Sequence, residues 1–173
     1  TWVRLAAMGH YSSDATMPLH TTINYDGQRT GNRGIHYRFE WWMIEQHADQ
    51  IDLSPVAPLL VTDPLDTAWE VIMRSHDCID TLLAADTELR RSFREPTPNP
   101  DDRHGRGADA EFDARLFDRL GELAVRRMEL AAQFTAGLWY AAWVEAGRPN
   151  LSGVPAPPPP PPCGNATKVT ISP

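Results

Sequence analysis

The chain has 173 residues, enough for one domain with a sizeable core, and 42% of them are hydrophobic, which excludes a wholly disordered polymer. A formal charge of -7 without any sustained Lys/Arg run excludes a broad electrostatic grip on nucleic acid, so chemistry on an anionic substrate has to draw its positive charge from metal ions. There is no run of about 18 apolar residues and no charged-then-apolar leader, so neither a membrane span nor a signal peptide is read. Two cysteines, Cys78 and Cys163, define no disulfide framework.

Residues 2–16 read as a helix from their Ala, Leu and Met content, ended or kinked by Pro18. The apolar pattern of Trp2, Val3, Leu5, Ala6 and Ala7 starts at once without an initiator Met, and the stretch is expected to begin inside a domain. Residues 21–34 are turn-rich, with Asn24, Asp26, Gly27, Gly31, Asn32 and Gly34. From Ile35 to Gln46 a helical pattern resumes, with Ile35, Phe39, Trp42 and Met43 on one face. Pro55, Pro58 and Pro64 interrupt the next stretch. From about Thr67 to Arg91 the residues Val71, Ile72, Ile79, Leu82 and Leu83 recur at helical spacing. Residues 94–108 read as an exposed loop, followed by a long helix whose stripe is Phe112, Leu116, Leu120, Leu123, Leu130, Phe134 and Leu138, ending near Gly147. The segment 150–173 reads as a proline-rich tail or linker: Pro157–Pro162 favours polyproline II, and Val169–Ser172 is too short to assign as a strand.

Chemistry concentrates at the N-terminal end. His10 and Asp14 are four apart on a predicted helix, which stacks both side chains on one face, and His36 and Glu40 repeat that spacing on the second helix. His20 follows Pro18 where the chain turns, so its ring can point back between the two helices. The set His20, His36 and Glu40 has the ligand composition of a catalytic zinc site, three protein donors with a position left for water. Asp14 has two oxygens and can bridge to a second ion. Either pair alone is most often a solvated helix pair. Five ligand-type residues within 31 positions, including three of the six histidines, are harder to dismiss.

The segment Gly9–Gly27, GHYSSDATMPLHTTINYDG, followed by Gly34–Glu40, GIHYRFE, resembles the superfamily of bacterial zinc-dependent phospholipase C and type I single-strand nucleases. Its pattern is H-x3-D, then x5-H, then H-x3-D/E. The later LWYAAWVEAGRP, Leu138–Pro149, is similar to the terminal helix of bacterial members. The resemblance implies that His10 and Asp14 bind one zinc, that Asp14 bridges to another, and that His20, His36 and Glu40 hold the remaining ion of a cluster of up to three. It also implies a secreted or periplasmic hydrolase acting on phospholipid or single-stranded nucleic acid, with Glu40 leaning towards the phospholipase branch. Family members carry a ligating N-terminal tryptophan, further ligands and a general-base aspartate upstream of the first motif. Trp2 is read as an ordinary helix residue. One zinc site is therefore expected to be complete in this stretch and the other two to lack ligands.

The expected architecture is mainly α: a multi-helix phospholipase C/nuclease-like domain over residues 1–149, N-terminally incomplete, and the proline-rich tail. Two rival readings stand beside the hydrolase: a catalytically inactive helical module that retains one zinc, and a helical domain with no metal. Around the ligands, Tyr11, Tyr25, Tyr37, Trp41 and Trp42 can wall a base or headgroup, although the tryptophans are read as core. Arg33 and Arg38 suit either a phosphate or a neighbouring carboxylate. His47, His76 and His104 are assigned surface or core roles. The sequons at Asn150 and Asn165 are too common by chance to use.

Overall fold

The computed structural model describes residues 2–53, 55–93 and 110–155. The protein is mainly α, with four long helices and, among the described residues, no strand. The expected loop over 94–108, His104, Cys163, the Pro157–Pro162 run, the sequon at Asn165 and Val169–Ser172 lie outside the described residues. Among those described, no helix is long and apolar enough to cross a membrane.

Helix α1 spans Trp2–Asp14 and is followed by a 3-10 turn, Pro18–Thr21, with Pro18 at its first position, where a missing N–H costs nothing. A second helical segment opens as α2, Ile35–Tyr37, widens into a π-helical turn over Arg38–Trp42 and closes as α3, Met43–Gln46. Helix α4, Pro64–His76, begins with Asp63 as its cap: the carboxylate accepts from the amides of Leu65 (2.8 Å) and Asp66 (3.0 Å). Helix α5 spans Ile79–Ser92, and α6 runs from Ala110 to Glu145. At 36 residues, α6 is about 54 Å long and serves as the spine of the fold.

The predicted stripe on α6 meets two separate clusters. Its first half places Leu116 and Leu120, both fully buried, against Leu82 and Leu89 of α5 and against Phe39 and Met43. Its second half places Leu130 and Phe134 against Val71 of α4. Burying side chains of this size contributes about 1.5–3 kcal/mol each before ordering costs. Helix α1 lies along the same second half, where the Ser12 hydroxyl meets that of Thr135 at 2.6 Å. An extended strap between α3 and α4 crosses α6, and the Leu59 amide donates to the Gln133 carbonyl (3.0 Å). Gly137 permits that crossing, because a Cβ there would overlap the Leu59 carbonyl oxygen.

Two elements differ from the sequence expectation. The apolar period from Thr67 to Arg91 continues through a break, since α4 ends at His76 and α5 starts at Ile79. Val71 of α4 joins the cluster on the second half of α6, and Leu82 and Leu89 of α5 join the cluster on the first half. In the Ile35–Gln46 segment, Ile35, Phe39 and Met43 are buried as expected, but Trp42 is only half-buried. A turn closed by i→i+5 bonds holds more residues than an α-turn, so side chains four apart stay more nearly in line along the axis. That keeps Ile35, Phe39 and Met43 on the core and turns Trp42 outward.

Candidate metal centre

The 3-10 turn places His20. Pro18 and Leu19 are buried and anchor the turn, leaving the next side chain to face outward. The Thr21 hydroxyl donates back to the Pro18 carbonyl (2.7 Å) and lies 3.2 Å from His76 Nδ1 on α4, which ties the turn to the body of the protein. His76 thus has a structural contact and no place among the candidate ligands.

The π turn and the loop before it place His36 and Glu40. Within the loop, Asn24 accepts from the Arg29 amide (2.8 Å) and Asp26 from the Gly34 amide (3.0 Å). Gly27 takes a φ of +68°, and a Cβ there would run into Asn32. Asn32 and Arg38 are then held from α5. Fully buried Asp86 accepts from Arg38 Nη2 (2.7 Å), Asn32 Nδ2 (2.8 Å) and Arg90 Nε (2.9 Å). Arg38 Nη1 and Arg90 Nη2 both donate to the Arg33 carbonyl, at 3.1 and 2.9 Å. Of the two roles open to Arg38, the structure shows the carboxylate partner. Its side chain is only 4% exposed. Burial lowers its pKa, with Asp86 opposing that shift, and its neighbour Arg90 lowers it further.

His20, His36 and Glu40 converge on one point at the surface. The Nε2 atoms of the two histidines are 3.2 Å apart, Glu40 Oε2 lies 2.7 Å from that of His36 and 3.8 Å from that of His20. A triangle with those sides fits a circle of radius about 1.9 Å, and zinc with tetrahedral bonds of about 2.05 Å would set three of its ligands on a circle of the same size. His36 Nδ1 donates to the Tyr25 carbonyl (2.9 Å). That bond fixes the ring and, in the neutral imidazole, leaves the Nε2 lone pair facing the other donors. The hydrogen bond to Glu40 raises the His36 pKa against the opposing effect of burial, and the same bond holds the Glu40 carboxyl below its usual range. Without a metal, this pair is a proton-sharing ion pair. The three side chains are partly exposed, so a fourth position is open to water.

His10 and Asp14 sit beside this group without joining it. Asp14 Oδ2 is 3.4 Å from His10 Nε2, and Asp14 Oδ1 is 3.5 Å from His20 Nδ1, the nitrogen on the far side of the ring from the three-donor cluster. Among the described residues, His20, His36 and Glu40 are the group whose donor atoms all lie within 4.8 Å of one another.

The aromatic residues form a wall, and the expectation of core tryptophans is not met. Trp41 is 49% exposed next to Glu40, and the half-buried Trp42 and Tyr37 lie beside it. Ring centroids are 5.1 Å apart for Tyr37 and Trp41, and 6.2 Å for Trp41 and Trp42. The core positions of this segment belong to Phe39 and Met43. His47, assigned a surface or core role, is a packed residue that stacks on Phe117 at 4.2 Å and reaches Asp113 Oδ2 at 3.3 Å. This partner was illegible in the sequence because Asp113 comes from α6, far along the chain. Burial raises the Asp113 pKa, and His47 partly counters it.

Compared with known proteins, the chain matches no family model, no curated protein and no solved structure.

Proposed function

We propose that this is a zinc-dependent hydrolase of phosphodiesters, similar in its ligand pattern to the zinc phospholipase C and single-strand nuclease superfamily, with His20, His36 and Glu40 as the zinc ligands. The observation that carries the reading is the three-donor triangle, whose dimensions suit tetrahedral zinc and whose outer side is open. Zinc bound there supplies a Lewis acid that lowers the pKa of water to about 7 and offsets charge on phosphoryl oxygens.

The protein's own groups set the conditions for that chemistry. Glu40 brings one negative charge to the ion, so a site of two neutral imidazoles and one carboxylate keeps a net positive charge to attract a phosphodiester. The Tyr25 carbonyl holds His36 by Nδ1, which leaves Nε2 for the metal. Exposed Trp41, with half-buried Tyr37 at its side, offers an apolar face beside Glu40 for the organic part of the ester, a nucleobase or a lipid headgroup. With an overall charge of -7, attraction for the substrate has to be local to the ion. A secreted or periplasmic setting follows from the same resemblance.

A second reading, a zinc-binding helical module without catalysis, is favoured by one observation: His10 and Asp14 belong to no three-donor group among the described residues. The experiment that separates the two is zinc titration of the full chain followed by hydrolysis of a chromogenic phosphodiester, bis(p-nitrophenyl) phosphate. The hydrolase reading expects saturable zinc binding and zinc-dependent turnover that both disappear in His36→Ala. Binding without turnover leaves the module. Failure to bind zinc removes both.

A further inference from the structure

Helix α6 carries Arg115, Arg119, Arg126 and Arg127, and the first three each pair with a glutamate. Arg127 does not. Its Nε and Nη1 are enclosed by protein and have no hydrogen-bond partner, and no carboxylate meets the side chain among the described residues. The reason is its place on the helix. Leu116, Leu120, Leu123, Arg127, Leu130 and Phe134 follow one another in steps of four and three, so the arginine stands in the middle of the buried stripe. The positions three and four away, Leu123, Ala124, Leu130 and Ala131, are all apolar, and its own helix offers it no acid. Along α6, Ala124 belongs to the first core cluster and Leu130 to the second, so Arg127 lies at the seam between them. The residue as a whole is half-buried and Nη2 is not among the enclosed atoms, so the guanidinium is reached from solvent at Nη2.

A guanidinium is a permanent cation, and enclosing it without an anion costs free energy that a leucine at this position would not. Acidic residues outnumber basic ones by 23 to 16, yet this cation is left without one. We propose that Arg127 anchors an oxyanion site at the seam of the two clusters, holding a phosphate or a carboxylate through its planar fork. Two parallel N–H···O bonds suit either group, with Nη2 at the mouth and Nη1 brought beside it by a turn of the head. Side-chain adjustments of that size are common on binding. The site is independent of the zinc reading, because His20, His36 and Glu40 all lie outside α6.

Thermal melts of the metal-free full chain test the proposal, with no zinc present for the anion to bind. Wild type, Arg127→Met and Arg127→Lys are compared in sodium chloride, phosphate and acetate at equal ionic strength. The wild-type melting temperature should climb by about 3–5 °C per tenfold increase in the anion that fits, once the site is mostly filled. Arg127→Met should show only the general stabilisation that phosphate gives any protein. In chloride it should melt no lower than wild type, since methionine fills similar space without a buried charge. Arg127→Lys, which keeps the charge and loses the fork, should respond less than wild type. A response to acetate as well as phosphate assigns a general oxyanion site, and a response to phosphate alone a phosphate site. A wild type that melts alike in all three salts would overturn the proposal, as would a specific response that survives in Arg127→Met. An Arg127→Met chain that melts well below wild type in chloride would also overturn it, by showing the arginine to be a structural strut.

Discussion

Replacing Asp86 with alanine should be among the most damaging single changes in this protein, and its cost can be worked from the buried network. Asp86 has no exposed surface and accepts from Arg38, Asn32 and Arg90 at 2.7–2.9 Å. Removing it leaves the Arg38 guanidinium buried without its charge partner, and Arg38 Nε already has no hydrogen bond. Breaking a buried pair from one side costs about 3–5 kcal/mol, a large share of the roughly 5–15 kcal/mol that stabilises a typical domain. At about 2–4 °C per kcal/mol for a chain of this size, the melting temperature should fall by roughly 6–20 °C. The assay is urea denaturation of the metal-free protein followed by circular dichroism, comparing wild type, Asp86→Ala and the double variant Arg38→Met/Asp86→Leu. The double variant should recover much of the loss, because it removes the stranded charge as well as its partner. A loss below about 1 kcal/mol in Asp86→Ala would refute the claim that this pair clamps the π turn.

Other outcomes follow from the same geometry. In the metal-free protein, His36 has a raised pKa and Glu40 a lowered one, each because of the other. The His36 contribution is complete below its ordinary 6.5 and is lost as pH rises through the raised value; the Glu40 contribution is complete above its ordinary 4.5 and is lost as pH falls through the lowered one. Metal-free stability should therefore gain most from this pair between those two values, and Glu40→Gln should flatten the profile measured by thermal melts across pH. Zinc has to displace the proton that His36 gains from the pairing, so zinc affinity measured by titration should rise with pH through the raised His36 pKa. Gly137→Ala should push the strap off α6, costing about 1–3 kcal/mol and speeding proteolysis between Pro55 and Asp63, read as the rate of appearance of nicked chain. Exposed Trp41 should tolerate alanine within about 0.5 kcal/mol in urea unfolding, while aromatic phosphodiesters bind the zinc-loaded protein less tightly.

Local patterns in the sequence carried the helices well. The α6 stripe from Phe112 to Phe134 is buried as the 3.6-residue period requires, and Pro18 ends the first helical stretch. Such a period says which face is buried but not against what. For that reason the break between His76 and Ile79 was invisible, since the apolar period runs on through it, with Val71 buried before it and Leu82 after it. The convergence of His20, His36 and Glu40 was legible because two ligands share a helical face and the third follows a proline at a turn. What holds them in place was not. Asp86 lies 48 residues beyond Arg38, and neither spacing nor residue type links the two. The π turn was also hidden, since Ile35, Phe39 and Met43 fit an α-helical reading while Trp42 showed only that the face had turned. The sequence left Arg38 open between a phosphate and a carboxylate, and only its burial decides for the carboxylate.

The central claim is that His20, His36 and Glu40 together hold zinc. Zinc-edge X-ray absorption of the full chain loaded with one equivalent of zinc at near-neutral pH tests it most directly. The expected first shell is nitrogen and oxygen at about 2.0–2.1 Å with outer imidazole scattering, and it should vanish in His36→Ala. A chain that retains no zinc, or a shell dominated by sulfur from cysteine at about 2.3 Å, would contradict the account.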